Sequence, residues 1–127
     1  MRVAYVFSTA GQTIDYLLGD MILPQLEAGT HGADVAGMFF FHDNVFALRE
    51  GDPLGERLAD VAAERDVLLM LCDRCATGRG LAERDGEGAG GRPRYEARGV
   101  VDGAVVGCFP DLYEALDGAG VDHVLTL

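Results

Sequence analysis

Tryptophan and lysine are both absent from this 127-residue chain, and all ten of its basic residues are arginine. Against them stand 21 acidic residues, for a formal net charge of −11. So acidic a chain, with no concentrated basic stretch, lacks the footprint for phosphate backbones, which excludes a free nucleic-acid-binding module. The acidity and the missing lysine fit adaptation to a salty solvent better than selection of a basic partner. No apolar run approaches the roughly 20 residues that cross a bilayer, so no membrane span is expected. The N-terminus shows no basic region or cleavage site of a secretory leader, since Arg2 leads straight into a strand-like segment. A cytoplasmic location is the expectation. Cysteine is scarce, with three residues, and in a reducing compartment so few thiols point to thiol chemistry or a metal rather than a disulfide framework. Ser8-Thr9-Ala10-Gly11 carries neither Gly-x-Gly-x-x-Gly nor Gly-Lys-Ser/Thr. It reads as a tight turn, not a nucleotide loop.

What is present is a globular pattern: 49% of the residues are apolar and they are spread along the chain, enough for one domain over residues 1–127. Arg2–Ser8 reads as a strand. Ile14, Leu17, Leu18, Met21, Ile22 and Leu26 then fall at helical spacing over about 12–28, with Pro24 expected to kink or break the helix near its last turn and Gly29 and Gly32 to end it. Ala33–Phe41 reads as a second strand, and Val45–Leu48 as an apolar loop. Asp52-Pro53 is a helix start, a capping aspartate before a proline, with Leu54, Leu58, Val61 and Ala62 as the buried stripe. Val67–Leu71 runs unbroken into Cys72, the pattern of a strand buried on both faces. A helix is expected from about Arg74 to Glu83, a flexible glycine-rich loop at about 85–94, and a short helix or irregular segment at Tyr95–Val101. A compact strand at Ala104–Gly107, a helix from Pro110 and a last strand at His123–Leu127 complete the chain. The alternation predicts an α/β domain, a three-layer sandwich around a mostly parallel five-stranded sheet.

Cys72 stands at the strand-to-helix junction, on the carboxyl edge where open parallel sheets collect ligands and chemistry. A thiol at a helix N-terminus has its pKa lowered. Arg74 and Arg79 would add to this and Asp73 would oppose it. Cys75 completes a Cys-x-x-Cys, Cys108 closes the fourth strand, and His42 lies on the same edge, where it could help deprotonate the thiol. Each has a plainer counterpart: Cys72 as a small buried hydrophobe, His42 as a loop residue. A Cys-x-x-Cys also suits dithiol redox chemistry or a redox sensor, although no Trp-Cys-Gly-Pro-Cys surrounds it. One such pair supplies only two ligands of a zinc site, and Cys108, His31, His42 and His123 are scattered singles, so neither a metal nor a cofactor is expected. Phe39–Phe41 with Val45-Phe46 is apolar enough to serve partly as an interface, the alternative being that alternate residues pack into the core.

Met1-Arg-Val-Ala-Tyr-Val, Phe39-Phe-Phe-His-Asp-Asn-Val-Phe-Ala47, the strand ending in Cys72, the following Arg79-Gly80 and the closing Asp122-His-Val-Leu-Thr-Leu127 occur in an order that resembles the DsrE/TusD (DsrE/DsrF-like) family of small sulfur-relay proteins. The resemblance spans nearly the whole chain. It implies a DsrE-like domain in which Cys72 accepts sulfane sulfur as a persulfide and passes it on, a sulfurtransferase activity. It also implies donor and acceptor proteins as partners, and a homo- or hetero-oligomer, trimer or hexamer. Cys75 and Cys108 depart from the simple single-cysteine pattern. They leave open a dithiol oxidoreductase, a hybrid in which Cys75 releases the sulfur as sulfide, or a non-catalytic subunit of a relay complex.

Overall fold

The computed structural model describes residues 1–127. Seven strands form: β1 Arg2–Phe7, β2 Asp34–Phe40, β3 Leu68–Cys72, β4 Ala82–Glu87, β5 Pro93–Ala97, β6 Val105–Gly107 and β7 His123–Thr126. Five of them build one parallel sheet in the order β6-β3-β2-β1-β7, and β4 and β5 make a separate antiparallel hairpin. The α/β class and the five-stranded sheet are as the alternation of elements predicts.

The helices are α1 Leu23–Ala28, α2 Pro53–Arg65, α3 Asp73–Thr77 and α4 Phe109–Gly118. A wider π-helical stretch, Thr13–Ile22, runs directly into α1. Pro24 therefore neither breaks the helix nor ends it. The Leu23 N–H still closes a π turn on the Leu18 carbonyl. Pro24 then occupies the first turn of α1, where its missing donor and its ring cost little. Gly29 ends the helix in the left-handed conformation, φ 71°. Asp52 caps α2 as predicted, its carboxylate accepting from the Leu54 and Gly55 N–H groups at 3.0 and 3.1 Å.

Strand alternation sends side chains to two unequal sides. Val3, Tyr5, Phe7, Met38, Phe40, Leu69 and Leu71 join Leu18, Leu23, Leu26, Leu58 and Val61 in a core of 24 buried residues beneath Thr13–Ala28 and α2. On the other side Ala4, Phe39 and Met70 meet only Leu112 and Leu116 of α4, a core of five. The layers are thus helices, sheet, and a single helix.

Further expectations are corrected. The helix expected to reach Glu83 stops at Thr77, because Gly78 and Gly80 follow and Glu83 belongs to β4. Residues expected as a glycine-rich loop and as a helical or irregular Tyr95 segment pair instead as β4 and β5, turning through Ala89–Gly91. Val45–Leu48 is no loop but part of a three-ten helix, His42–Leu48, with Val45, Ala47 and Leu48 buried. The aromatic run is not an exposed interface either: Phe39 and Phe40 are buried and Phe41 partly so, whereas Tyr16 and, on α4, Phe109 and Tyr113 are exposed.

Candidate functional site

Along β3, Leu69 and Leu71 face the large core and Met70 the small one; Leu68 and Cys72 pack toward the small core. Burial on both faces is what an uninterrupted apolar strand provides, and it delivers Cys72 to the carboxyl edge of the sheet between β2 and β6. The chain leaves the strand at Cys72 and turns at once into α3. There the Cys72 Sγ serves as the helix cap, accepting the Cys75 N–H at 3.4 Å. Thr77 Oγ1 donates to the Asp73 carbonyl at 2.8 Å, and the Arg74 N–H donates to Asp73 Oδ1 at 2.7 Å, so both ends of this short helix are tied.

Cys75 points the other way. It packs against the large core, and its Sγ accepts the backbone N–H of His42 at 3.2 Å. Both thiols are free and half-buried. The Cys-x-x-Cys therefore straddles the end of the sheet, with one sulfur toward each face and each held by a backbone donor.

Burial works against ionisation of Cys72. Desolvation, with the Cys75 thiol adding to it, pushes the Cys72 pKa up to about 11, although the N–H groups of Cys75 and Arg74 pull it down. The lowering expected of a thiol at a helix N-terminus is outweighed by this desolvation.

His42 is brought to the site by its main chain, not its ring. It sits in the left-handed region, φ 55°, with the imidazole beside the Phe41 ring at 6.1 Å. Arg79 acts at one remove from the sulfurs. Its Nε donates to Asp43 Oδ1 at 2.8 Å and its Nη1 to the Cys75 carbonyl at 3.1 Å, joining the His42 turn to α3. Asn44, which the sequence reading passed over, is buried, and its Nδ2 donates to the Phe7 and Thr9 carbonyls at 3.1 Å each. A polar residue set between His42-Asp43 and the buried Val45 was the only signal for it.

Arg74 and Cys108 also line a cavity of about 370 Å³, together with Asp73, Arg92, Arg94 and Asp111. Cys108 caps α4 and is exposed, one residue beyond Gly107, the strand partner of Cys72. No three or more histidine, cysteine or acidic side chains gather in an arrangement that could hold a metal ion. No helix is long and apolar enough to cross a membrane.

Comparison with known proteins agrees with this architecture. The YchN protein from E. coli superposes with a TM-score of 0.64 at 20% identity, covering 99% of this chain and 98% of YchN. MTH1491 from Methanobacterium thermoautotrophicum, described as a protein of unknown function, gives 0.63 at 13% identity with the same coverages, 99% and 98%. At such identities the likeness establishes the fold. No curated protein matches. The family profile that does match, over residues 1–122, puts a name to the sheet and its thiol-bearing edge: the chain belongs to the DsrE/DsrF-like family.

Proposed function

We propose that this protein is a sulfur carrier whose Cys72–Cys75 pair accepts sulfane sulfur as a cysteine persulfide and passes it to a partner thiol. The family as a whole is associated with sulfur relay. The observation that carries the reading is the pair itself. Two free thiols stand at the carboxyl end of the central strand, each with its sulfur on a main-chain N–H. Sulfur transfer asks for a thiol that can attack a donor persulfide and then leave the acquired sulfur within reach of a second thiol. A half-buried pair at a sheet edge meets both requirements. The donors and acceptors are proteins, and the assembly is an oligomer of this chain or of this chain with relatives, working in the cytoplasm.

A dithiol oxidoreductase is the reading that the same pair would otherwise support, because Cys72 and Cys75 are close enough for the N–H of one to meet the sulfur of the other. The two differ in product. Intact mass of the purified protein after exposure to polysulfide, with and without reductant, is the test. A carrier gains a reducible sulfur atom, and Cys72→Ser/Cys75→Ser loses that gain. An oxidoreductase loses two hydrogens without gaining sulfur, and that result would contradict the proposal.

A further inference from the structure

We propose that the cavity beside β6 binds a small zwitterionic persulfide of the cysteine type, which loads Cys108 as a third sulfur-bearing thiol. The proposal rests on the carrier reading for the kind of sulfur, and goes beyond it in the thiol, the ligand and the place. The cavity, about 370 Å³, lies between the β4–β5 hairpin and the start of α4. That volume is in the range of pockets that enclose small molecules. A hollow of this kind suits a compact ligand beside the protein donors that serve the Cys72–Cys75 pair.

Its walls concentrate charge of both signs. The chain carries −11 overall, yet Arg74, Arg92 and Arg94 all line this one space, against Asp73 and Asp111. Two of the arginines are engaged. Arg92 Nη2 lies 3.6 Å from Asp111 Oδ1, tying the hairpin to α4, and Arg94 Nη2 lies 3.4 Å from Asp85 Oδ2. Arg74 is in none of the chain's ion pairs. Its guanidinium is a free planar fork, the shape that pairs with a carboxylate through two hydrogen bonds. Asp73 supplies the opposite half. It is 9% exposed, and its Oδ1 accepts the Arg74 N–H at 2.7 Å. Its Oδ2 meets no donor of the chain. A buried carboxylate oxygen left without a donor is costly, and an ammonium group on the ligand would satisfy it. The two charges of an α-amino acid are thus matched by consecutive residues.

Sulfur is the ligand's third feature, and Cys108 is the thiol that meets it. Cys108 lines the cavity, is free and exposed, and its main chain is fixed by Asp111 Oδ2, which accepts its N–H at 2.8 Å. Reactive cysteines occupy such partly exposed, electropositive surroundings. The Cys108 thiolate attacks the outer sulfur of the bound persulfide, R–S–S–H. A new S–S bond forms, the donor S–S bond breaks, and the electron pair leaves on R–S⁻. The proton stays on the transferred sulfur, giving Cys108–S–S–H. One sulfane sulfur changes carrier, so no oxidant or reductant is consumed. Gly107, the residue before Cys108, is the strand partner of Cys72, so the new cargo sits on the same sheet edge as the pair. The hairpin, which buries little of itself, acquires a purpose as the wall that brings Arg92 and Arg94 to the ligand.

The test uses Cys72→Ser/Cys75→Ser, in which Cys108 is the remaining cysteine, checked for native circular dichroism. It is treated at neutral pH with cysteine persulfide and, separately, with N-acetylcysteinamide persulfide, which has neither the ammonium nor the carboxylate. Alkylation followed by peptide mass mapping reads the sulfur at Cys108. Cysteine persulfide is expected to load Cys108 at least about tenfold faster than the uncharged donor. Adding Arg74→Gln is expected to bring the two rates to within about threefold of each other. The persulfide of 3-mercaptopropionate, with the carboxylate alone, should fall between them; if it matched cysteine persulfide, the role of Asp73 and the zwitterionic ligand would be overturned. Equal rates for charged and uncharged donors, or a preference that Arg74→Gln leaves untouched, would overturn the site. Wild-type protein that takes sulfur at Cys72 or Cys75 and never at Cys108 would also overturn it, with the carrier reading left standing. Sulfur on Cys108 alone would overturn the carrier reading of the pair and support this site. No sulfur on any cysteine would overturn both.

Discussion

The two faces of the sheet are built to different standards. One is sealed by Thr13–Ala28, α2 and the His42–Leu48 turn over a core of 24 buried residues. The other carries α4 alone over a core of five, with Val105, Phe109, Tyr113 and Val124 left exposed. The thiols divide along the same line: Cys75 packs against the thick side and Cys72 against the thin one. The thick face fixes the donor that meets Cys75, and Cys72 lies on the thin one, so the two thiols of one motif are set against cores of very different size.

The comparison is broken most forcefully by truncating each core in turn. Phe40→Ala on the thick side, where Phe40 is wholly buried, is expected to lower unfolding free energy by about 3–5 kcal/mol in chemical denaturation. Leu112→Ala on the thin side should cost nearer to about 2 kcal/mol, since the cavity opens beside a surface that can relax into it. Equal losses would mean that the two sides contribute alike.

A loss of comparable size, opposite in sign to the usual glycine-to-alanine effect in a helix, probes how α2 seats on the turn. Gly55 is buried in the first turn of α2, and a Cβ there would stand 2.2 Å from the Ala47 carbonyl oxygen. Gly→Ala within a free helix stabilises it by about 1 kcal/mol. Here Gly55→Ala is expected to destabilise by about 1–3 kcal/mol, because the turn and the helix must move apart. A rise in melting temperature would show that the contact is not tight.

The smallest effect is read from pH. Cys72 ionises near 9.0 when free and at about 11 in the fold. An acid group whose folded pKa is raised stabilises the protein fully below its unfolded pKa, and that contribution is lost as pH climbs through the folded value. Thermal stability should therefore decline between about pH 9 and 11, and Cys72→Ser should decline less. Burial also raises Tyr5, which adds its own alkaline loss, so the difference between the two proteins is the quantity to follow. An identical slope in both would contradict the burial of Cys72.

Much of this was legible in the sequence, for physical reasons that differ by region. β3 could be read because both its faces are buried, which leaves a continuous apolar run, and α2 because a capping aspartate and a proline mark its start. The β4–β5 hairpin could not. Ala82 is its only buried residue, its strands show no apolar alternation, and glycines crowd its turn. It is held by ladder hydrogen bonds and by exposed ion pairs such as Arg94–Asp85 and Arg98–Glu83, each worth about 1 kcal/mol or less. In the site, the Cys-x-x-Cys and its place on the sheet edge were visible. The partners of Cys75 were not, because His42 contributes a main-chain N–H and Arg79 pairs with Asp43 36 residues away. Neither a backbone donor nor a long-range ion pair leaves a trace in residue order.

The most direct test of the account is the fate of the carried sulfur. The protein would be loaded with radiolabelled sulfane sulfur, freed of excess, and mixed with one equivalent of an acceptor thiol at neutral pH. The account predicts that the label moves to the acceptor as a persulfide while Cys72 and Cys75 return as free thiols. Release of the label as sulfide, with a matching amount of Cys72–Cys75 disulfide, would show a dithiol oxidoreductase in place of a carrier.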